Sequence, residues 1–420
     1  MSAARAFKEE IKDLSMYTPP TISTNSRTIT GNFGGKRVQI VPAYEKTYDL
    51  LNKAAQSGNH WARLAVSGLR ALSSGRLGKD NIYVRPNRSA NLETGAEQFF
   101  VILPGIKATV DAQSNGTFKI VYLAFDTGYF EQSSQNTMTG LYRAVKRDNK
   151  WGVDFVENGE LPSEPIKQRF VGITDRQHSD AIDAAETIAP RVSKAPGGGG
   201  PFFDSFDLHF TPGDKKIGGL KNYNKAAKPL SNESIHGSAI MLANTMYKSK
   251  DVKGVSWVAE FGGSAVLTQA MKILADRKVK LDGHTAYLYR PSTNVNQAVK
   301  HAHELGLNLD RNFVTTEVGD YMGNRDQVAM IINRLKNEED YRKGHGAWDF
   351  CGQVTKVQGL TAMATAAIGA VGVGMSAPAI PILAAIGGAL GSGVAALKTG
   401  DTLAKHVAPK FYDRNAGKIK

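Results

Sequence analysis

Beyond residue 203 the apolar residues switch between two periods, and this constrains the fold more than any other feature. "FDSFDLHFTPG", "KGVSWVAEF", "HTAYLYRPST" and "NFVTTEVGD" are short runs rich in β-branched and aromatic residues. Between and after them, "NESIHGSAIMLANTMYKS" (with Asn232 at the cap position), "SAVLTQAMKILADR", "NVNQAVKHAHELGL" and "RDQVAMIINRLKNEEDYRK" place apolar residues at helical spacing. Strands separated by helices of about ten to fifteen residues read as βαβ units, whose crossovers set neighbouring strands parallel. The expected fold class is therefore α/β, with a parallel sheet and ligands bound at the C-terminal ends of its strands.

Upstream the rhythm differs. "AYEKTYDLLNKAAQSGNHWARLAVSGLRAL" predicts helix, with Gly58 and Gly68 as interruptions. "NIYVRP", "EQFFVILP", "IKATVDAQ", "GTFKIVYLAFD", "GLYRAVK" and "WGVDFVE" then predict strands, and Asn115-Gly116 suits a hairpin turn between two of them. Helices followed by an antiparallel meander imply an α+β domain over residues 36–190. The glycine run in "APRVSKAPGGGGP" places a Gly/Pro linker at 191–203, ahead of the α/β domain at 204–350. Residues 1–35, rich in Ser, Thr, Pro and Gly, read as a flexible leader or adaptor-binding arm.

Between Lys356 and Lys398 no side chain is ionisable. Residues 357–376 and 379–397 are each near the roughly 20 residues that cross a bilayer, and Pro378 and Pro381 would turn the chain between them. This predicts a Gly/Ala-rich helical hairpin at 356–398, followed by a basic tail at 399–420 suited to anionic headgroups.

The net charge of +13 favours anionic partners, whether nucleic acid, phospholipid headgroups or an acidic protein. Cys351 is the single cysteine, which excludes an intrachain disulfide and a cysteine-built zinc site. His301 and His303, two apart on a helix, make a poor metal pair. No phosphate-cradling loop with a following lysine occurs, so neither metal nor cofactor is expected. The start "MSAARAFKEEIKDLSMY" lacks a signal-peptide core. The expectation is synthesis in the cytoplasm, export by a specialised secretion system, and membrane association in the target.

Chemistry concentrates at "VSWVAEFGGSAVLTQAMKILADRKV", Val255 to Val279. A nucleophile elbow has the form small-x-nucleophile-x-small at a strand-to-helix turn, so that the side chain stands above the sheet near backbone N–H donors. Framed on Gly262, this pattern puts Glu260 in the nucleophile position and Val258 in the first small one. Ser264 follows the glycines. Asp320 in "TTEVGDYMGN" or Asp326 at the next helix could supply the acid, and His345 in "YRKGHGAWDF" the base, in the order nucleophile, acid, histidine.

"DLHFTPG", "VSWVAEFGG", "HTAYLYRPST" and "GDYMGNRDQV" give residues 204–350 a resemblance to the α/β-hydrolase superfamily, especially its bacterial lipase-like members. Where that family carries serine, this chain does not. The order of leader, toxin-like domains and hydrophobic hairpin resembles secreted bacterial toxins of the type VI class. That resemblance implies antibacterial delivery into a rival cell, a secretion adaptor and a cognate immunity protein. Separately, "QSNGTFKIVYLAFDTGYF" with "GLYRAVK" resembles RelE-type ribonuclease toxins, implying Lys119, Tyr122, Arg143 and Lys146 as RNA-facing residues. A third reading makes the hairpin a non-enzymatic pore.

Overall fold

In the computed structural model, the residues described are 26–31, 34–75, 81–87, 94–103, 105–125, 137–162, 168–174, 176–198, 203–213, 233–310, 312–316, 327–341, 345–346 and 349. Asp320, Asp326, Asn232, Cys351, the predicted hairpin at 356–398 and the basic tail lie outside them. The chain divides into two compact units. One takes in the residues up to Thr293 together with Lys300–Thr315, and the other Asn294–Val299 together with the residues from Thr316 onward.

The first unit holds two sheets. The six-stranded sheet has the order β1-β2-β6-β5-β4-β3. Its strands are β1 (Arg27–Thr30), β2 (Val38–Ile40), β3 (Val84–Pro86), β4 (Glu97–Leu103), β5 (Ile106–Ala112) and β6 (Phe118–Phe125). All its pairings are antiparallel except β2 with β6. β1 overturns part of the leader expectation: the β-branched run Thr28-Ile29-Thr30 pairs with β2, and Arg27 forks onto Asp49 at 2.9 and 2.6 Å. Asn115-Gly116 does turn β5 into β6, with Gly116 at φ 78° and the Asn115 side chain accepting from the Thr117 N–H.

Helices α1 (Glu45–Gln56) and α2 (His60–Ala71) pack on each other and contribute Leu51, Trp61, Ala65 and Leu69 to the core over this sheet. Gly58 breaks the helix between them at φ 94°. Gly68 does not interrupt α2: a β-carbon there would lie 2.6 Å from Leu103 Cδ1, so the residue is small to let helix and sheet approach.

The seven-stranded sheet has the order β13-β12-β11-β9-β10-β7-β8. Its strands are β7 (Gly140–Arg147), β8 (Lys150–Phe155), β9 (Arg169–Ile173), β10 (Ser205–Phe210), β11 (Val255–Glu260), β12 (Thr285–Tyr289) and β13 (Val314–Thr315). β10, β9, β11, β12 and β13 run parallel, and β7 with β8 forms an antiparallel hairpin on the β10 edge. The α/β class with parallel strands is therefore observed.

The domain boundary expected at the glycine run is corrected. β7, β8 and β9 precede that run yet share one sheet with β10 to β13, so the division between sheets falls between β6 and β7. The deciding element is "RFVGI". As β9 it is buried along its whole length between two parallel neighbours, and a strand covered on both faces shows no alternation in its sequence.

Helix α3 (Ala181–Val192) follows β9, capped by Asp180 through the Ile182 N–H, and begins the first βαβ unit. It packs on the sheet face presenting Tyr142, Gly172, Leu208 and Val258, and Ile188 fits where Gly172 leaves space. Helices α4 (Glu233–Lys248) and α5 (Gly263–Ala275) pack on each other, and α4 meets the opposite face, where His209 of β10 touches Ser238. α6 (Val295–Leu305) spans the division between the units, and α7 (Gln327–Asn337) belongs to the second.

Candidate functional site

The parallel strands appear along the sheet as β10, β9, β11, β12, β13, so the chain goes to one side of β9 and then to the other. The strand order therefore reverses between β9 and β11, and in open α/β sheets the crevice outside such a reversal holds the ligand. The turn from β11 into α5 lies there. A β-carbon on Gly263 would come within 2.2 Å of the Ile173 carbonyl at the end of β9, so only glycine lets α5 start this close to the sheet.

The sharpest backbone position in this turn is Phe261, at φ 45°. This corrects the frame placed on Glu260. β11 continues through Glu260, which pairs with Tyr289 of β12, so the left-handed residue comes one place later. Ala259 and Gly263 then flank Phe261 as the small residues. A phenylalanine with positive φ costs about 1–3 kcal/mol and persists only when its surroundings impose it.

Three backbone hydrogen bonds help impose it. The Phe261 N–H donates to the Tyr289 carbonyl at 3.1 Å, while the Phe261 carbonyl accepts from the N–H groups of Ser264 and Ser292, each at 3.1 Å. At the end of β12 a second strained residue, Arg290 at φ 43°, sets its guanidinium over the Phe261 ring at 5.1 Å. The Arg290 N–H donates to the Thr315 carbonyl at 2.8 Å, tying that bend to β13.

Glu260 lies below this turn, on the α3 face, 6% exposed. Its Oε1 accepts from Arg191 Nε of α3 at 3.1 Å. Beside this pair the Tyr289 hydroxyl is shifted upward, mainly by burial; Arg191 opposes the shift and Glu260 adds to it.

Ser264 is fully buried, and its hydroxyl is committed: Oγ donates to the Phe261 carbonyl and accepts from the Ser292 N–H at 3.0 Å. Thr268 Oγ1 donates to the Ser264 carbonyl at 2.7 Å, and Thr293 Oγ1 donates to Thr268 Oγ1 at 3.1 Å. This ladder of hydroxyls fastens α5 to the segment after β12. Ser264 is therefore a latch for the bend.

His345 belongs to the second unit. Its ring is tilted against Tyr341 at 6.2 Å, Arg334 stacks on the other aromatic at 4.3 Å from its centroid, and the Tyr341 hydroxyl donates to Asp349 at 2.6 Å. Burial and the adjacent Asp349 carboxylate hold the Tyr341 hydroxyl protonated well beyond its ordinary range. The proposed acids, Asp320 and Asp326, lie outside the described residues.

The RNA-facing set is parted between the sheets. Lys119 and Tyr122 stand on β6, whereas Arg143 and Lys146 stand on β7. Arg143 is also engaged, its Nε donating to the buried Asp207 carboxylate at 2.7 Å; Arg169 holds the other oxygen at 3.2 Å.

A polar cluster that the sequence reading did not single out lies near the bend. His209 Nε2 meets Ser238 Oγ at 2.9 Å, and Thr211 Oγ1 meets the same oxygen at 2.6 Å, all three residues buried. The His209 carbonyl accepts from the N–H and hydroxyl of Thr174, the residue after β9. Burial lowers the imidazole to a pKa of about 3. A base that weak is a poor proton acceptor for Ser238, and His209 Nδ1 meets no hydrogen-bond partner among the described residues that would orient and strengthen it. The alternation of His209 with Phe206, Leu208 and Phe210 was the available signal that it points into the interior opposite those apolar residues.

At the bend the side chains are thus a phenyl ring, a guanidinium, a paired carboxylate and a committed hydroxyl. Such a set can stack and attract anions, but it offers no free nucleophile. Among the described residues no cluster of metal-ligating side chains occurs, and no helix is long and apolar enough to cross a membrane. No family model, no curated protein and no solved structure matches the chain.

Proposed function

We propose that the chain is a bacterial toxin-like secreted effector whose hydrolase-like unit engages membrane lipid without serine ester chemistry. The observation that supports this is Phe261. It stands at positive φ between Ala259 and Gly263, where a central parallel strand turns into a helix at the reversal of strand order. That is the arrangement of a nucleophile elbow with a phenyl ring in place of the attacking group. A phenyl ring cannot form an acyl intermediate, and the Glu260 carboxylate, turned beneath the bend to Arg191, does not replace it.

What such a crevice retains is binding. The Phe261–Arg290 plate offers an apolar surface edged with positive charge, and the net charge of +13 draws the protein toward anionic headgroups. Delivery by a specialised secretion system, a secretion adaptor and a cognate immunity protein belong to the same proposal through the order of the chain's parts.

The test is to mix purified protein with anionic and with zwitterionic phospholipid vesicles. Co-sedimentation and released fatty acid are measured in parallel. Co-sedimentation with the anionic vesicles alone, weakened by Arg290→Ala and without fatty acid release, is the expected result. Protein that stays in the supernatant with both vesicle types would overturn the membrane reading.

A further inference from the structure

At the other end of the parallel strands from the bend, the segments that lead into β11 and β12 border an open surface depression of about 530 Å³. Its lining carries five cationic side chains, Lys250, Lys253, Arg277, Lys278 and Lys280, against two acids, Asp251 and Asp282. These residues do not have equal roles. Arg277 is a strut: its guanidinium donates to the carbonyls of Asn81, Val84 and Ile273, which fixes the wall of the depression. Lys250 lies over the Tyr247 ring at 5.5 Å, and Lys280 donates to the Glu304 carbonyl at 2.9 Å.

All four lysines are exposed. Among the described residues none of them forms an ion pair with Asp251 or Asp282. Cations also gather at helix C-termini for reasons of the helix dipole alone, which suits Lys248 and Lys272 in the last turns of α4 and α5. Lys253 and Lys280 are different, since they lie on the segments leading into the strands. Lys278 is held at φ 57° beside them. The result is a cup with excess positive charge that its own acids leave uncompensated.

We propose that this depression binds a small polyanion bearing two or more phosphate groups. Ammonium groups act as point charges without a preferred fork, so several lysines suit a ligand whose charge is spread over several phosphates. A single planar carboxylate would call for a free guanidinium, and Arg277 is already committed to carbonyls. The site is separate from the Phe261 crevice and does not depend on the reading given to it.

The test is calorimetric titration of the full chain with inorganic triphosphate, ATP and inorganic sulfate at matched ionic strength. Triphosphate and ATP should bind at least tenfold more tightly than sulfate. The double variant Lys253→Glu/Lys278→Glu should lose at least tenfold for both. The charge-matched pair Lys46→Glu/Lys53→Glu on α1 should retain wild-type affinity, which separates the depression from overall charge. Equal binding of triphosphate and ATP identifies phosphate as the recognised group, while binding of ATP alone identifies a nucleoside polyphosphate. No preference over sulfate, or equal losses in the two double variants, overturns the proposal. Both pairs are exposed, so unchanged thermal midpoints are the check on folding.

Discussion

Phe261 and Arg290 stack at 5.1 Å across the ends of two adjacent parallel strands, each with its backbone in the left-handed region. Two strained bends meeting side chain to side chain at the reversal of strand order are the most specialised geometry among the described residues. Backbone strain of this kind costs about 1–3 kcal/mol at each position and persists only where the surroundings over-determine it.

Removing the charge that Glu260 needs should cost more than removing Glu260's own charge. Glu260 is buried and Arg191 is about one-third exposed. Arg191→Met strands a buried carboxylate and should lower unfolding free energy by about 2–3 kcal/mol in urea titrations. Glu260→Gln leaves an arginine that water can reach, and should cost about 1 kcal/mol or less. The reverse ranking would mean that Glu260 is not stabilised mainly by Arg191.

Ser264→Ala should behave as the loss of a latch. It removes the hydroxyl's bonds to the Phe261 carbonyl and from the Ser292 N–H, which keeps only the Phe261 carbonyl as acceptor, at a cost of about 1–2 kcal/mol. Vesicle binding per folded molecule should not change. A large loss of an enzymatic activity with wild-type stability would instead identify Ser264 as a reacting group.

Gly263→Ala should be severe, because its β-carbon would collide with the Ile173 carbonyl at 2.2 Å and main chain cannot rotate away as a side chain can. A drop of at least about 3 kcal/mol is expected. Gly152→Ala, whose nearest contact would be 3.8 Å, should stay within about 1 kcal/mol of wild type. Equal thermal midpoints for the two variants would contradict the close approach of α5 to the sheet.

His209 makes stability depend on acid. Its folded pKa of about 3 lies below the ordinary 6.5, so between those values the unfolded chain binds the extra proton. Its contribution is therefore present above about pH 6.5 and is lost as pH falls through that window. Burial shifts His60, His178, His284 and His301 in the same direction. Between pH 7 and pH 5, His209 alone accounts for a loss of about 2 kcal/mol. His209→Gln should remove that part of the slope, whatever it does to stability at pH 7; an unchanged slope would place the acid sensitivity elsewhere.

The rhythm of β10, β11 and β12 with their helices was legible because each strand is short and each helix keeps its apolar stripe. β9 and α3 were not read, although "FVGI" within "RFVGI" is a short apolar run and Asp180 marks a helix start. The run followed the predicted meander and preceded a conspicuous glycine tract, which drew the boundary to the wrong place. Composition marks where a chain is pliable, but strand pairing across 168–210 is decided by burial on both faces, which no local window contains. The bend was misplaced by one residue for a similar reason. Gly262 and Gly263 both look like the small residue of an elbow, and only Ala259, two places before Phe261, distinguishes the frames. The commitments of Ser264 and Glu260 depend on Ser292 and Arg191, distant in sequence and brought close by the sheet.

The most direct measurement is fatty acid release from anionic phospholipid vesicles, followed together with co-sedimentation, for the wild-type chain and for Phe261→Ser. The expected result is vesicle-bound wild-type protein with release no faster than buffer. Release by the wild-type chain that tracks with the pure protein would contradict a bend occupied by a non-reacting phenyl ring.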